Sequence, residues 1–457
     1  MTEVAGSGPR GMRTFFIIWL GQVVSIVGSG LTGFGLAVWI FDKTGQATPF
    51  AFTVLFSNLP RILLSPVAGA VTDRWNRRWI MILADVGSAV ITLGAFFLLT
   101  FGQLAVWHIY LIATLYAVLG AFQEPAYTAS VTMLVPQKEL ARANGLIQMS
   151  QALEMLIAPL LAGILFVAVG LRGIMLIDFV TFFFAIGALV FVHIPQPRRQ
   201  ATAGTARDEE SLWRDALFGW QYVRARVGLL GLLLYFALVN FFLNFSAVLI
   251  GPLVLSFSAA SALGAVQSAG GVGMLAGSIG ISAWGGPKRR IPAVIAFIAL
   301  ASLGLFIAGL KASAWVVGAG LFLLMFSVPF GSGISQAVFQ SKVAPDVQGR
   351  VFSIRTMISR SMMPLAFLLA GPLADQVFEP LFRQDGPLST TPLGTLIGTG
   401  PGRGIGFLFM VSSLILIAAS GLAWTNPRIR NLEDELPDVA PEVEETAGVE
   451  TVATATM

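Results

Sequence analysis

Runs of about twenty or more residues with almost no charge recur along nearly the whole chain, at 14–41, 49–72, 79–101, 106–135, 140–168, 173–193, 229–257, 261–284, 291–310, 314–341, 350–377 and 404–425. A helix rises about 1.5 Å per residue, so each run matches a hydrocarbon core about 30 Å thick, and only a helix satisfies its own backbone groups where no water can. Twelve such runs predict an all-α polytopic membrane protein. Hydrophobic residues make up 56% of the 457 positions and charged residues 11%, which leaves too little polar surface to keep a chain of this length in water. The first run exceeds the apolar region of a signal peptide and no small-residue cleavage site follows it, so it is read as a retained helix.

Lys and Arg set the orientation, because cytoplasmic loops hold the positive charge. With both termini in the cytoplasm, inner segments collect 21 of the 28 basic residues, the outer loops hold Lys43, Arg172, Lys311, Arg383 and Arg403, and Arg61 and Arg360 fall inside predicted helices. That asymmetry predicts a multi-pass protein of the cell membrane and accounts for the basic pI with the lipid bilayer as partner and no nucleic acid. There is no cysteine, so thiol metal sites and disulfides are excluded. His108 and His193 sit at separate predicted helix ends, where an interfacial side chain is the simpler reading, and neither metal nor cofactor is expected.

Four segments follow. A first six-helix unit spans 1–193; a cytoplasmic linker, 194–228, opens on the proline-rich IPQPRRQ and carries Asp208, Glu209, Glu210, Trp213, Arg214 and Trp220 in the pattern of an amphipathic surface helix. A second six-helix unit covers 229–425. From 426 to 457 the chain is acidic, with few large apolar side chains to bury, and is expected to be disordered. One offset, 208 residues, carries Gly69 onto Gly277, Arg142 onto Arg350 and Leu161-Ala162-Gly163 onto Leu369-Ala370-Gly371, which points to a duplicated six-helix unit and two pseudo-symmetric bundles.

The loop after the second run reads AGAVTDRWNRRWIMILAD, placing Gly69, Asp73, Arg74, Arg77 and Arg78 as Gly-x-x-x-Asp-Arg-x-x-Arg-Arg. Glycine lets a helix approach closely, Asp73 suits a positive helix N-terminus, and the arginines suit acidic groups or lipid phosphates. This resembles the signature of the major facilitator superfamily. In the second half Gly277 and the cluster Lys288, Arg289, Arg290 remain, but Ile281 stands where Asp73 would correspond, so the resemblance implies an asymmetric gate with Asp73 toward Arg350 and with Arg142 and Arg350 as matching anchors. LPRILLSPVAGAVTDRWNRR, FQEPAYTASVTMLVPQKELARANGLIQMSQ and HIPQP are similar to drug exporters of the macrolide-efflux, drug:proton antiporter type. Where the exporter signature reads Gly-Pro-x-x-Gly-Gly, this chain has Ala158-Pro159-Leu160-Leu161-Ala162-Gly163.

Ionisable groups deep in a bilayer are costly and are functional candidates by default. Along their helices Arg61 lies roughly 18 Å from Asp73, Glu124 roughly 15 Å before its inner end, Glu154 roughly 18 Å beyond Arg142 and Arg360 roughly 15 Å beyond Arg350, so all four fall near mid-membrane. Each neighbours a proline, Pro60, Pro125, Pro159 or Pro364, that frees a backbone carbonyl beside it. Two readings stand: Glu124 or Glu154 loads and releases a proton as its surroundings change, or the four charges are permanently paired and hold helices together. Asp85 is read as a partner of the arginines at 74, 77 and 78, and Asp178 as a local cap or pairing group. The resemblance implies that the first, fourth, seventh and tenth helices line the cavity, which offers Gln22, Trp39, Tyr127, Asn240, Asn244, Gln336 and Gln340 among many Phe and Met residues, a wall suited to a bulky amphiphile.

These features predict a monomeric secondary transporter that exports small amphiphilic molecules, macrolide-like drugs or similar, in exchange for protons. A siderophore or other metabolite is the alternative cargo, and an uncoupled facilitator or a transporter-like receptor the alternative class. No Gly-x-x-x-x-Gly-Lys-Ser/Thr loop supports a nucleotide-driven pump, and no catalytic constellation supports an enzyme.

Overall fold

The computed structural model describes residues 9–136, 139–192, 221, 224, 226–287, 289–343 and 345–435. Among them there is no strand, and eleven helices are long and apolar enough to cross a membrane. In chain order these are α1 (Pro9–Thr44), α2 (Ala47–Arg74), α3 (Arg77–Thr100), α4 (Val106–Leu134), α5 (Leu140–Phe191), α6 (Val227–Leu255), α7 (Ala260–Trp284), α8 (Arg290–Leu310), α9 (Ala314–Lys342), α10 (Pro345–Pro372) and α11 (Arg403–Thr425). A π-helical segment, Leu373–Phe378, continues α10.

Helix α5 supplies two crossings. At Gly170 the backbone takes φ 66° and ψ −178°, outside the helical region and in a range only glycine adopts cheaply. Before that point α5 runs alongside α1 in the same direction, with the Trp19 Nε1–H donating to the Leu146 carbonyl at 2.9 Å and Gly30 lying on Ala158. Beyond it the sequence order reverses: Gly35 lies on Leu171, Gly28 on Thr181 and Gly21 on Ala188. The two arms therefore form a hairpin, and the molecule has twelve crossings with both ends of the bundle sequence on one face, called here the terminal face. The opposite end is the far face.

How the halves meet positions the site. Toward the terminal face each half has its own apolar core, one around Phe15, Met81, Ala126 and Leu189, the other around Leu229, Ile291, Val338 and Leu416. Toward the far face a single core runs through both halves, taking in Leu36, Phe50, Phe245, Leu253, Phe367 and Phe409. Glycines permit the crossing: a Cβ on Gly163 would stand 2.8 Å from the Ala260 carbonyl oxygen, and one on Gly371 would stand 3.0 Å from the Thr48 amide nitrogen. These two positions are 208 residues apart and sit in α5 against α7 and in α10 against α2. We expect Gly163→Val to cost about 1–3 kcal/mol of overpacking, visible as a lower melting temperature of the purified protein; an unchanged melting curve would remove the close crossing.

Two expectations at the ends need correction or restriction. Residues 194–220, including the expected amphipathic helix, lie outside the described residues, as does the chain from 436. The tail does not come loose at 426. Pro427–Arg430 and Leu432–Glu435 form short helices, with Ile429 and Leu432 buried against α6. The Glu433 Oε2 accepts from the amides of Arg290 at 2.8 Å and Ile291 at 3.2 Å, and the Lys342 Nζ donates to the Glu433 carbonyl at 2.7 Å. Two apolar anchors and a carboxylate on the positive N-terminus of α8 are enough to order this stretch.

Candidate functional site

Where the halves converge they enclose a cavity of about 560 Å³, within the range of drug-sized ligand sites. Its wall is mostly apolar, with Phe34 from α1, Phe50 from α2, Met325 from α9 and Phe367 from α10, and its two strongest polar groups are Glu154 and Gln267. Glu154 leans over Gly30: a Cβ there would stand 3.9 Å from its Oε1. Arg61 packs on Gly120 of α4 and its charge reaches Glu154 without a direct contact. Among the described residues no ion pair joins Arg61, Glu124, Glu154 and Arg360; the pair that is described, Arg142 with Glu139 at 4.0 Å, is local and exposed. The four charges thus stand apart here, and Arg61, Glu124 and Arg360 are exposed because the halves part toward the terminal face. Permanent pairing is not what this arrangement contains.

Several cavity expectations resolve into other roles. Gln22 is buried inside the first half, where its Nε2 donates to the Asp85 Oδ2 at 3.2 Å while the Gln123 Nε2 donates to the Asp85 Oδ1 at 2.6 Å. Asp85 therefore serves two amides and not the arginines of the loop. Asp178 is fully buried and accepts from the hydroxyls of Ser29 and Thr92, beside a short Thr92–Tyr116 hydroxyl contact. Trp39 packs into the far-face core and Tyr127 into the first half's terminal-face core. The Asn240 and Asn244 amides donate to carbonyls four residues back at 2.8 and 2.7 Å, and Asn240 faces a second cavity inside the second half. Gln336 is exposed and accepts from the Arg355 Nη1 at 2.8 Å. The side chains of Asp73, Gln340 and Arg350 lie outside those described, as does His193; His108 caps α4, its Nδ1 accepting from the Ala105 amide at 3.0 Å.

The basic loop behaves differently from expectation too. Arg77 donates to the Ala129 carbonyl of α4 at 2.9 Å, and Arg78 to those of Leu189 and Val190 at 2.8 and 2.6 Å, where it satisfies the negative C-terminal end of α5. Gly69 has nothing within 4 Å of a would-be Cβ, since the halves are apart at that level.

Sequence reasoning missed the contact that closes the opposite end. Asp375, in the π-helical segment, lies across the inter-half boundary on the N-terminus of α2. Its Oδ1 accepts from the Ala47 amide at 2.9 Å, and its Oδ2 from the Thr48 amide at 2.7 Å and the Thr48 hydroxyl at 2.6 Å. The residue that precedes α2, Gln46, provides no side-chain cap, so a carboxylate from the other half takes that place. The other described inter-half hydrogen bond, from the Ser268 hydroxyl to the Leu156 carbonyl at 2.8 Å, lies beside the cavity. The only sequence signal for Asp375 was an acidic residue at the outer end of an apolar run.

A family model described as Major Facilitator Superfamily matches residues 18–367. Macrolide efflux protein A of Streptococcus pyogenes is 28% identical over 386 residues, covering 79% of this chain and 90% of that protein. The multidrug efflux pump Tap of Mycobacterium bovis is 23% identical, covering 79% of this chain and 87% of its own length. Among solved structures, a bacterial homolog of the human lysosomal transporter Spinster, in an inward-facing and unoccupied conformation, superposes with a TM-score of 0.69 at 15% identity over 95% of this chain and 100% of that one.

Proposed function

The chain belongs to the major facilitator superfamily, and from that premise we propose that it exports small amphiphilic molecules, macrolide-like compounds among them, by alternating access in exchange for protons. The observation that carries this reading is the cavity between two six-helix halves, mostly apolar, with the Glu154 carboxylate in its wall. A bulky apolar cargo gains by leaving water for such a wall, while one titratable group offers a place to link cargo movement to a proton. Similarity to macrolide and multidrug efflux proteins supports the cargo class.

The terminal face is taken as cytoplasmic, in the cell membrane, because the basic residues concentrate there. On that assignment the cavity is closed outward by Asp375 and the glycine crossings, and open inward. Closing inward would bring the loop of Gly69, Asp73, Arg74, Arg77 and Arg78 against the start of α10, with Arg142 and Arg350 at corresponding ends; this is the proposed second gate.

Expression in a drug-sensitive bacterial host tests the cargo class. We expect raised minimum inhibitory concentrations for macrolides and faster efflux of lipophilic dyes, both abolished by an uncoupler. Unchanged susceptibility and dye retention across such a panel would reject export of amphiphiles, and efflux that survives the uncoupler would favour facilitated passage.

A further inference from the structure

The second half contains a smaller cavity of about 230 Å³, separate from the main one, bounded by α6, α8, α9, α10 and α11. Its walls include the rings of Phe236 and Phe297 and the polar groups of Asn240, Ser302, Ser327 and Arg355. The hydroxyl protons of Ser302 and Ser327 go to the carbonyls of Ile298 and Leu323 at 2.8 Å each, and one Asn240 N–H goes to Phe236. Arg355 is the cation in the wall.

Its environment is incomplete for a charge. The guanidinium is half-buried and donates to two neutral partners, the Gln336 Oε1 at 2.8 Å and the Ser335 Oγ at 3.0 Å. Phe339 and Phe236 flank it at 4.6 and 5.7 Å from their ring centroids. Five N–H donors are available on a guanidinium, so part of the fork is unspent. No carboxylate lies within 4 Å of it among the described residues. The sequence explains why: between Val227 and Ala344 there is no Asp or Glu, and after Asp346 the next acid is Asp375 at the far face. The carboxylates expected near mid-membrane, Glu124 and Glu154, belong to the first half, as do Asp85 and Asp178 within its helices. A half-buried cation, held by neutral acceptors on a cavity wall, is a place where an arriving anion gains a charge-assisted, two-pronged hydrogen bond.

We propose that this cavity is a subsite for the anionic group of an amphiphilic substrate, a carboxylate being the best match to the guanidinium fork, and that Arg355 binds it while Phe236 and Phe297 hold adjoining apolar surface. The proposal rests on the export reading and adds amphiphiles that carry an acid function to its cargo.

A matched pair of dyes separates the two ideas: a free-acid rhodamine and its methyl ester, which share a ring system and differ at the carboxylate. Binding is read by fluorescence anisotropy on the full chain in detergent free of anionic lipid, and transport in proteoliposomes. We expect the wild type to bind and move the free acid, and Arg355→Gln to weaken binding of the acid by about tenfold or more while leaving the ester within about twofold. Arg355→Lys, which keeps the charge without the fork, should fall between. Equal losses for both dyes in Arg355→Gln would make Arg355 a clip between α9 and α10 and overturn the subsite. A wild type that moves the ester but neither binds nor moves the acid would overturn it while leaving export intact. If neither dye is bound or moved, both the subsite and, together with a negative efflux panel, the export reading fall. Loss of acid binding on adding phosphatidylglycerol, with no transport of the acid, would assign the cavity to a lipid headgroup and reject a substrate role.

Discussion

Asp375→Ala should release the far face and shift the molecule toward its other access state. The carboxylate accepts three hydrogen bonds from the start of α2, and all three cross the boundary between the halves. Because they join one half to the other, their loss acts on the equilibrium between arrangements of the halves. Truncating a partly buried, charge-assisted cap leaves the α2 amides without partners, at a cost of about 2–4 kcal/mol to the far-closed state, or roughly 30- to 1,000-fold in its population relative to a state without these bonds. Absence of cysteine in the natural sequence makes the measurement direct. Spin labels at Lys43→Cys and Arg383→Cys, both exposed on the far face, report the separation of the halves. The long-distance population should grow in Asp375→Ala, with a smaller increase in Asp375→Asn, whose amide oxygen still accepts. Identical distance distributions in all three proteins would show that the cap does not hold the gate.

Hydropathy made the helices legible because membrane burial imposes one rule on every crossing, and the reversal at Gly170 fell between two runs of sufficient length for the same reason. Individual site residues were harder. Gln22 and Asn240 were assigned to the cavity by the helices that carry them, yet the direction of a side chain depends on which helix face meets which neighbour, and Gln22 turns inward to Asp85 while Asn240 turns to a different cavity. The 1.5 Å rise gave Arg61, Glu124, Glu154 and Arg360 similar expected depths along their helices. Their mutual distances were not readable, because they depend on how far the halves part at the terminal face. Asp375 and Glu433 share a further cause of invisibility: each carboxylate completes the N-terminus of a helix remote in sequence, α2 or α8, and no local pattern announces such a partner. Ile429 and Leu432 anchor the start of an otherwise acidic tail with only two large side chains, too few for composition to register.

Glu154→Gln should abolish uphill transport while preserving downhill exchange. Glutamine keeps the size and the carbonyl acceptor of the glutamate, so the cavity wall and its contact with Gly30 survive, but it carries no titratable proton. In the open arrangement the carboxylate is half-buried, without an ion pair among the described residues, and Arg61 is near enough to act on its charge. Bringing the halves together at the terminal face would exclude water from both groups and change which form, neutral or ionised, is favoured. That dependence on conformation is the requirement for coupling. A gradient of one pH unit supplies about 1.4 kcal/mol per proton, enough for about tenfold accumulation of cargo at one-to-one exchange. In proteoliposomes the wild type should approach that ratio, whereas Glu154→Gln should settle near equal concentrations on both sides and still exchange labelled for unlabelled cargo. Retained accumulation in Glu154→Gln with collapse in Glu124→Gln would move the proton site to α4. Retention in both would leave the cavity's carboxylate as a cargo contact and remove these glutamates from the coupling mechanism.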